Sequence, residues 1–440
     1  MTPTRILLSA LLALAFVLAP HRAQAQGLTI DIVDGVPSAL PITVVPFAFE
    51  GSGSPPDTDV ASVIRANFNR SGQFRTLPVQ DIVEMPVRQA DVRYGTWRTL
   101  RQDFLLIGRI LDADIGTFRV EFELFDVAKQ VRVLGTAVTG RQAEMRSVAH
   151  QISDMVYEHI LGVRGAFWTS IAYVTAVGSG GNITYTLMVA DADGHNPRTV
   201  VSSREPLMSP AWSPDGRKLA YVSFESGNSA IWIQHLATAQ RDLMTSFRGI
   251  NGAPSFSPDG TRLALTLSRD GNPEIYVMDL SSRQLTRLTT HFAIDTEPVW
   301  TPDGRHIIFT SDRAGKPQLY QVPAEGGEAT RITFRGEYNA RPSIAFDGRR
   351  IAMAQGAGNV YRIAVLDRTL GGEGEMHLIS PGTLDESPSF APNGSMILYA
   401  SREGGRGVLN AVSADGRVRQ RLVLADGDVR EPAWSPFRQR

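Results

Sequence analysis

The sequence predicts an α/β N-terminal domain followed by an all-β six-bladed β-propeller closed by its C-terminal strand. Three observations carry this expectation. After Trp168 a motif recurs in which proline precedes a large apolar residue by two positions, at Pro210/Trp212, Pro254/Phe256, Pro298/Trp300, Pro342/Ile344, Pro388/Phe390 and Pro432/Trp434. Successive prolines lie 44, 44, 44, 46 and 44 residues apart, a period that holds one blade of about four short strands. Before Trp168 no repeat is visible, and the apolar spacing switches between strand and helix periods.

The first element is a leader. Met1–Arg5 carries an arginine, Ile6–Ala19 is an almost wholly apolar run of 14 residues, and Ala23-Gln24-Ala25 offers the small-x-small pattern of signal-peptidase cleavage. The run falls short of the roughly 20 residues a spanning helix needs, so 1–25 reads as a signal peptide, with no direct membrane insertion of the mature chain. Export to the periplasm is expected.

The α/β domain is placed at 26–163. "LTIDIV" (Leu28, Ile30, Ile32) and "PITVVPFAF" alternate as strands, and Val60, Val63, Ile64 and Phe68 follow at helical spacing. "FLLIGRI", "TFRVEFELFD" and "VRVLGTAV" supply further strands, and Met145, Val148, Ile152, Val156 and Ile160 line one face of a closing helix. His150 and His159 in that helix are read as surface groups rather than metal ligands. The glycine-containing "GVRGAFW", Gly162–Trp168, marks the boundary, with the propeller over 164–440.

Within a repeat, "PSFSPDG", "RLALTL", "EIYVMD" and "LTRLT" read as four strands. In "SPDG" Pro214 presets the first corner of a tight turn, Asp215 bonds its own backbone and Gly216 supplies a positive φ. Trp212, just before it, is expected to fill the space between blades. The first blade lacks such a lead-in strand before "SIAYVTA" (Ser170–Ala176), whereas "EPAWSPF" (Glu431–Phe437) is a lead-in strand with no blade after it. Joining the two closes a ring of six and removes open sheet edges.

Composition narrows the function classes. Lys plus Arg number 44 against 45 Asp plus Glu, a formal net charge of -1, so no global field favours nucleic acid. The chain has no cysteine, which excludes disulfides, thiol catalysis and lipidation through an N-terminal cysteine. It carries no G-x-S-x-G elbow, H-E-x-x-H helix, P-loop or G-x-G-x-x-G fingerprint. "VGSGGN" (Val177–Asn182) lies between two strands, without the helix N-terminus that a phosphate cradle needs. A non-enzymatic binding protein is therefore expected, with a propeller-containing periplasmic hydrolase or lyase as the alternative.

The loops that enter each "P-x-W" strand are the irregular part of the repeat. "INGAP", "IDTEP", "YNARP", "LDESP" and "VREP" place Asp295, Glu297, Asp385, Glu386 and Glu431 near the channel mouth, with Arg269, Arg313, Lys316, Arg402 and Arg406 outside them. An acidic inner ring with a basic rim is expected. Such carboxylates are the oxygen ligands that Ca²⁺ or Mg²⁺ takes, but sequence fixes neither count nor geometry, and no cofactor is predicted.

"GAPSFSPDG", "IYVMDL", "TEPVW", "DESPSFAPNG" and "ADGDVREPAWSP", in this order behind an exported α/β domain, resemble the TolB family, the periplasmic component of the Tol-Pal system of Gram-negative bacteria. The similarity covers essentially the whole chain, with Phe346 replacing one turn proline and Asn393 one turn aspartate. It implies binding of the lipoprotein Pal at the propeller face through Asn251, Gly252, Ala253, Thr296 and Glu297, where family members can carry histidine in place of Ile250. It also implies binding of the inner-membrane protein TolA through the mature N-terminal segment, about Gly27–Val36, including Leu28, Ile30, Asp31 and Ile32. Other outer-membrane proteins are further candidate partners, and the implied roles are outer-membrane integrity and envelope constriction at cell division. A segment with alternating apolar residues can add to a partner's sheet edge or dock on its own protein.

Overall fold

The computed structural model describes residues 28–34, 39–424 and 427–439, and of 29–34 the backbone alone. The expected signal peptide, Gly27 and Val36 lie outside the described residues.

Strand β1 (Thr29–Asp34) leaves the N-terminal domain to pair elsewhere. The domain's own sheet contains β2 (Leu40–Val44), β3 (Ala48–Phe49), β4 (Phe74–Thr76), β5 (Phe104–Asp114), β6 (Thr117–Asp126) and β7 (Val131–Arg141) in the order β4-β2-β5-β6-β7, with β3 beside β5. The first three pair in parallel with their neighbours, and β5 to β7 form an antiparallel meander. Helix α1 (Val60–Ser71) starts where the Asp59 carboxylate accepts the Ser62 N–H at 2.9 Å. It stops at Gly72, whose φ of +66° is the left-handed C-cap.

A short helix, α2 (Tyr94–Thr99), was not legible from periodicity because it is barely longer than one turn. Its fully buried Trp97 covers Val45, Leu105, Ile107 and Phe125 on one side of the sheet. Helix α3 (Met145–Leu161) and α1 cover the other side, where Ile64, Phe68, Val148, Ile152 and Val156 meet Leu106, Val120, Phe122 and Leu124. Each such side chain contributes about 1.5–3 kcal/mol by leaving water.

The remainder is a six-bladed β-propeller. Its innermost strands are Asp428–Trp434, Leu207–Trp212, Asn251–Phe256, Asp295–Trp300, Tyr338–Ile344 and Glu386–Phe390, for blades one to six. Blade one joins both ends of the domain, because Asp428–Trp434 pairs with Ser170–Val177. Trp212 bridges blades, donating its indole N–H to the Ala433 carbonyl at 3.0 Å, and Trp300 does the same to Ser255 at 3.1 Å. In the turns, Asp215 accepts from Ser213 Oγ and the Arg217 N–H, at 2.5 and 3.0 Å. Four turn glycines rest on the turn proline of the preceding blade, Gly216 on Pro436, Gly260 on Pro214, Gly304 on Pro258 and Gly348 on Pro302, whereas Gly394 of blade six faces Phe346 and Arg350. The "SPDG" motif thus shapes a hairpin and also locks neighbouring blades together.

β1 extends blade six as a fifth strand, antiparallel to Arg419–Val423, with Ile30 opposite Leu422, Asp31 opposite Arg421 and Ile32 opposite Gln420. Leu28 is buried at the seam of blades six and one, with Met188, Ala190, Leu409 and Leu422. The N-terminal domain meets the turn end of these same blades. Asn393 donates to the Arg164 carbonyl at 3.0 Å, Gln420 donates to that of Arg70, and Arg146 pairs with Asp193. This contact corrects one expectation: His159 is exposed, but His150 is buried, because α3 is covered by the sheet on one side and the propeller on another.

Candidate functional site

The end of the propeller away from the turns is built by a bulge repeated six times. In every innermost strand the pairing register slips by one residue just ahead of the motif proline, as between Thr296 and Val299 opposite Thr310 and Ile308. The other five blades do the same. The residue before each proline is forced into the left-handed region: Ser209, Ala253, Glu297, Arg341, Ser387 and Glu431 have φ between +46° and +57°. Non-glycine residues resist this conformation, at a cost of the order of 1–3 kcal/mol each. The following proline has no N–H to leave unpaired at the break in the ladder. These six residues and their prolines line a well of about 150 Å³ at the channel mouth.

The ring differs from the acidic one expected. Arg341 sits among its carboxylates, with Nε 3.1 Å from Glu297 Oε1 and Nη1 3.2 Å from Glu431 Oε1, and also contacts Ser387 Oγ. Glu297 further accepts the Thr310 hydroxyl at 2.8 Å and the Arg341 N–H at 2.9 Å, and Glu431 accepts the Ser209 N–H at 3.0 Å. Burial opposes the charge on Arg341, but Glu431, Glu297 and Glu386 outweigh it and hold the guanidinium above its ordinary range. Of the carboxylates that suggested an ion ligand set, Glu297 and Glu431 share one guanidinium, which offsets one of their two charges, and Glu386 is exposed beside them.

Asn251, Asp295 and Asp385 are also corrected, because all three are fully buried and spend their side chains inside the protein. Asn251 donates to the Phe247 carbonyl at 2.6 Å and accepts its N–H at 2.9 Å. Asp295 holds Arg313 at 2.6 Å, which draws that arginine out of the expected basic rim. Asp385 accepts the hydroxyls of Ser380 and Ser401, each at 2.5 Å, and the Gly382 N–H at 3.0 Å. Burial pushes both carboxyls above the ordinary range. They sit two residues ahead of the ring and shape the loops that lead into it.

What a partner can touch is different. Glu386 is exposed, and Gly252, Ala253, Thr296 and Glu297 are half-buried around the well. Ile250, Phe292, Ile294, Phe334 and Leu384 are exposed on the loops entering blades three to six, with Phe292 at 88%. Beside the ring a cleft of about 420 Å³ is lined by Tyr338, Tyr361, Leu384, Glu386, Arg402 and Arg430, among others, and shares Arg341 with the well. A cleft of tyrosines and charged side chains, with Ile250, Phe292 and Phe334 exposed around it, forms a face suited to protein recognition.

Comparison with known proteins agrees with this architecture. The family described as "TolB beta propeller domain" matches residues 157–438, and the one described as "TolB amino-terminal domain" matches 28–133. The chain belongs to the TolB family. It is 65% identical over 431 residues to the Tol-Pal system protein TolB of Xanthomonas campestris pv. campestris (strain B100), covering 98% of each chain. It is 66% identical over 416 residues to that of Xanthomonas euvesicatoria pv. vesicatoria (strain 85-10), covering 94% of each. The crystal structure of TolB from Acinetobacter baumannii superposes with a TM-score of 0.85 at 41% identity, covering 93% of this chain and 100% of that one. As a TolB-family protein, the chain is a non-enzymatic component of the envelope Tol-Pal system.

Sequence reasoning missed Arg341, Ser209 and Ser387 as members of this ring. The signal was present as the residue preceding each repeated proline, which completes the set of six. Among the described residues, His150, Asp191 and Asp193 also bring ligand-type atoms within 4.8 Å of one another. Their carboxylates already hold Arg146, Asn196 and Arg438, so this trio is a charge-balanced joint rather than a metal centre. No helix among the described residues is long and apolar enough to cross a membrane.

Proposed function

We propose that the protein is a periplasmic adaptor that receives Pal on the channel-mouth face and TolA through its mature N-terminal segment, in support of outer-membrane integrity and envelope constriction at division. The observation that carries this reading is the ring of six strained, non-glycine residues beside an open cleft lined by tyrosines and charged side chains, on the propeller end that the N-terminal domain leaves free. Strain kept at one point of every blade is best explained by side chains that must be presented there. Asn251, Asp295 and Asp385 act in this reading by shaping loops, Glu431, buried as well, by holding Arg341 and the Ser209 N–H, and Gly252, Ala253, Thr296, Glu297 and Glu386 by contact. The segment containing Leu28, Ile30, Asp31 and Ile32 is docked on blade six as the edge strand β1, so a partner either adds to its outer edge or takes the segment after it leaves.

The test is a pull-down of the mature protein with Pal and with TolA of the same organism. Wild type is expected to retain both, Thr296→Ala with Glu297→Ala to lose Pal by at least tenfold, and deletion of 27–36 to lose TolA while keeping Pal. Absence of Pal binding by wild type refutes the reading.

A further inference from the structure

Away from the channel mouth, the joint between the two domains contains a buried polar relay. His150 on α3 is 2% exposed and lies between Asn67 of α1 and Asp193 of blade one. Its Nδ1 is 2.9 Å from Asn67 Nδ2, and its Nε2 is 3.4 Å from Asp193 Oδ2. The neighbours fix where the protons are. Ser153 Oγ donates to the Ala149 carbonyl at 2.8 Å, so its contact with Asn67 Nδ2 at 2.9 Å must be an acceptance. Arg70 can only donate, and its Nη2 lies 3.2 Å from Asn67 Oδ1. The amide is therefore held from both ends, with an N–H aimed at His150 Nδ1. That nitrogen is an unprotonated acceptor, and the imidazole proton sits on Nε2, facing the propeller.

Protonating this ring would set an Nδ1–H against an N–H of Asn67. Turning the amide over does not help, because its NH₂ group would then face the guanidinium of Arg70. We propose that the relay is an acid-sensitive latch, in which neutral His150 holds the N-terminal domain on the propeller and protonated His150 loosens the joint.

The charged and titratable groups around His150 are Arg70 from α1, Arg146 from α3, and Asp191, Asp193 and His195 from blade one. Asp193 favours the imidazolium, but it is already engaged by Arg146 and by the His195 N–H at 3.2 Å. Burial is the larger effect, with Arg70 in the same direction, and holds His150 below the ordinary imidazole range. The sign follows from linkage. An undocked His150 titrates near pH 6.5, whereas the docked one resists protonation below that value, so the open form binds more protons as the pH falls. The joint has its full strength above about pH 6.5 and weakens by up to tenfold per pH unit below it, until the docked ring itself titrates.

The absence of cysteine makes the test clean. Ala192, buried at the joint on the propeller side, is replaced in the full mature chain by Ala192→Cys, the sole thiol. Its labelling rate with 4,4′-dithiodipyridine, divided by that of an unfolded reference peptide at the same pH, reads the opening constant of the joint. Between pH 7.5 and 5.5 this constant should rise by up to tenfold per unit below about pH 6.5. His150→Gln, which keeps an acceptor for Asn67 and has no titrating ring, should remove the slope. Asn67→Asp should reverse it, because a carboxylate at that position accepts an Nδ1–H and makes the protonated ring the better fit. A flat profile in the parent, a slope that survives His150→Gln, or an Asn67→Asp profile of unchanged sign each overturns the latch. If Asn67→Asp fails to fold, the parent and His150→Gln profiles still decide.

Discussion

Blades two to six turn the chain through the left-handed region at both ends of the innermost strand, and the two ends fill that position differently. At the turn end it is glycine, as at Gly216, Gly260, Gly304 and Gly348, with φ between +68° and +71°. At the channel mouth it is Ser209, Ala253, Glu297, Arg341, Ser387 and Glu431, with φ between +46° and +57°. The backbone demand is the same. Glycine is used where the position only has to bend the chain, and a side chain is kept, against local preference, where a surface has to be offered. One end of the repeat is therefore uniform and architectural, the other varied and chemical.

The strongest way to break this division is to damage the architecture without touching the face. Phe309, on the second strand of blade four, is fully buried against Trp300, Ile307 and Tyr320. Phe309→Ala should cost about 3–5 kcal/mol, by lost burial and the cavity left behind, read as a lower urea midpoint. The fraction that remains folded should still capture Pal at wild-type strength. A loss of capture from the folded fraction would show that the face depends on blade packing more than on its own ring.

The next test acts on the ring itself. Arg341→Ala leaves Glu297 and Glu431 facing each other across the well without a counter-charge. Removing one partner of a fully buried ion pair is severe, but the Arg341 side chain is 29% exposed, so solvent screening reduces the cost to about 1–2 kcal/mol. Capture of Pal should fall by much more than that loss of stability explains. A variant that is destabilised yet binds normally would make Arg341 a brace for the ring and no part of the contact.

The division also explains what the sequence could and could not reveal. The uniform end was legible, because the 44-residue spacing, the "SPDG" corner and the interblade Trp212 all follow from local turn chemistry and repeated packing. The varied end was legible in position only. Asp295 and Asp385 read as exposed acids, because nothing local says that Arg313 and Ser401 reach them from the strands and loops that follow, or that Ser380 folds back from the loop before Asp385. The left-handed ring depends on a register slip against the neighbouring strand, and strand register is not written within one strand. His150 was misread for a related reason. Helical periodicity identifies one buried face of α3, and the second face is buried by another domain.

The finest test exchanges the two solutions. Gly216→Ala adds a methyl group with no closer neighbour than Pro436, at 3.7 Å, so its cost comes from φ alone. A left-handed alanine costs about 1–2 kcal/mol, offset in part by the 0.4–1 kcal/mol gained from a stiffer unfolded chain. A net loss of about 0.5–1 kcal/mol is expected. Ala253→Gly is the mirror experiment, since it relieves a φ of +46° and should gain about the same amount. Urea midpoints moving in opposite directions, with Pal capture weakened only by Ala253→Gly, would mean that the methyl group at the channel mouth is retained for contact at the expense of stability. If Ala253→Gly gains nothing, the bulge already fits alanine without strain. The ring would then have to be explained by its charges, Glu297, Arg341 and Glu431, and not by the conformation that all six blades share.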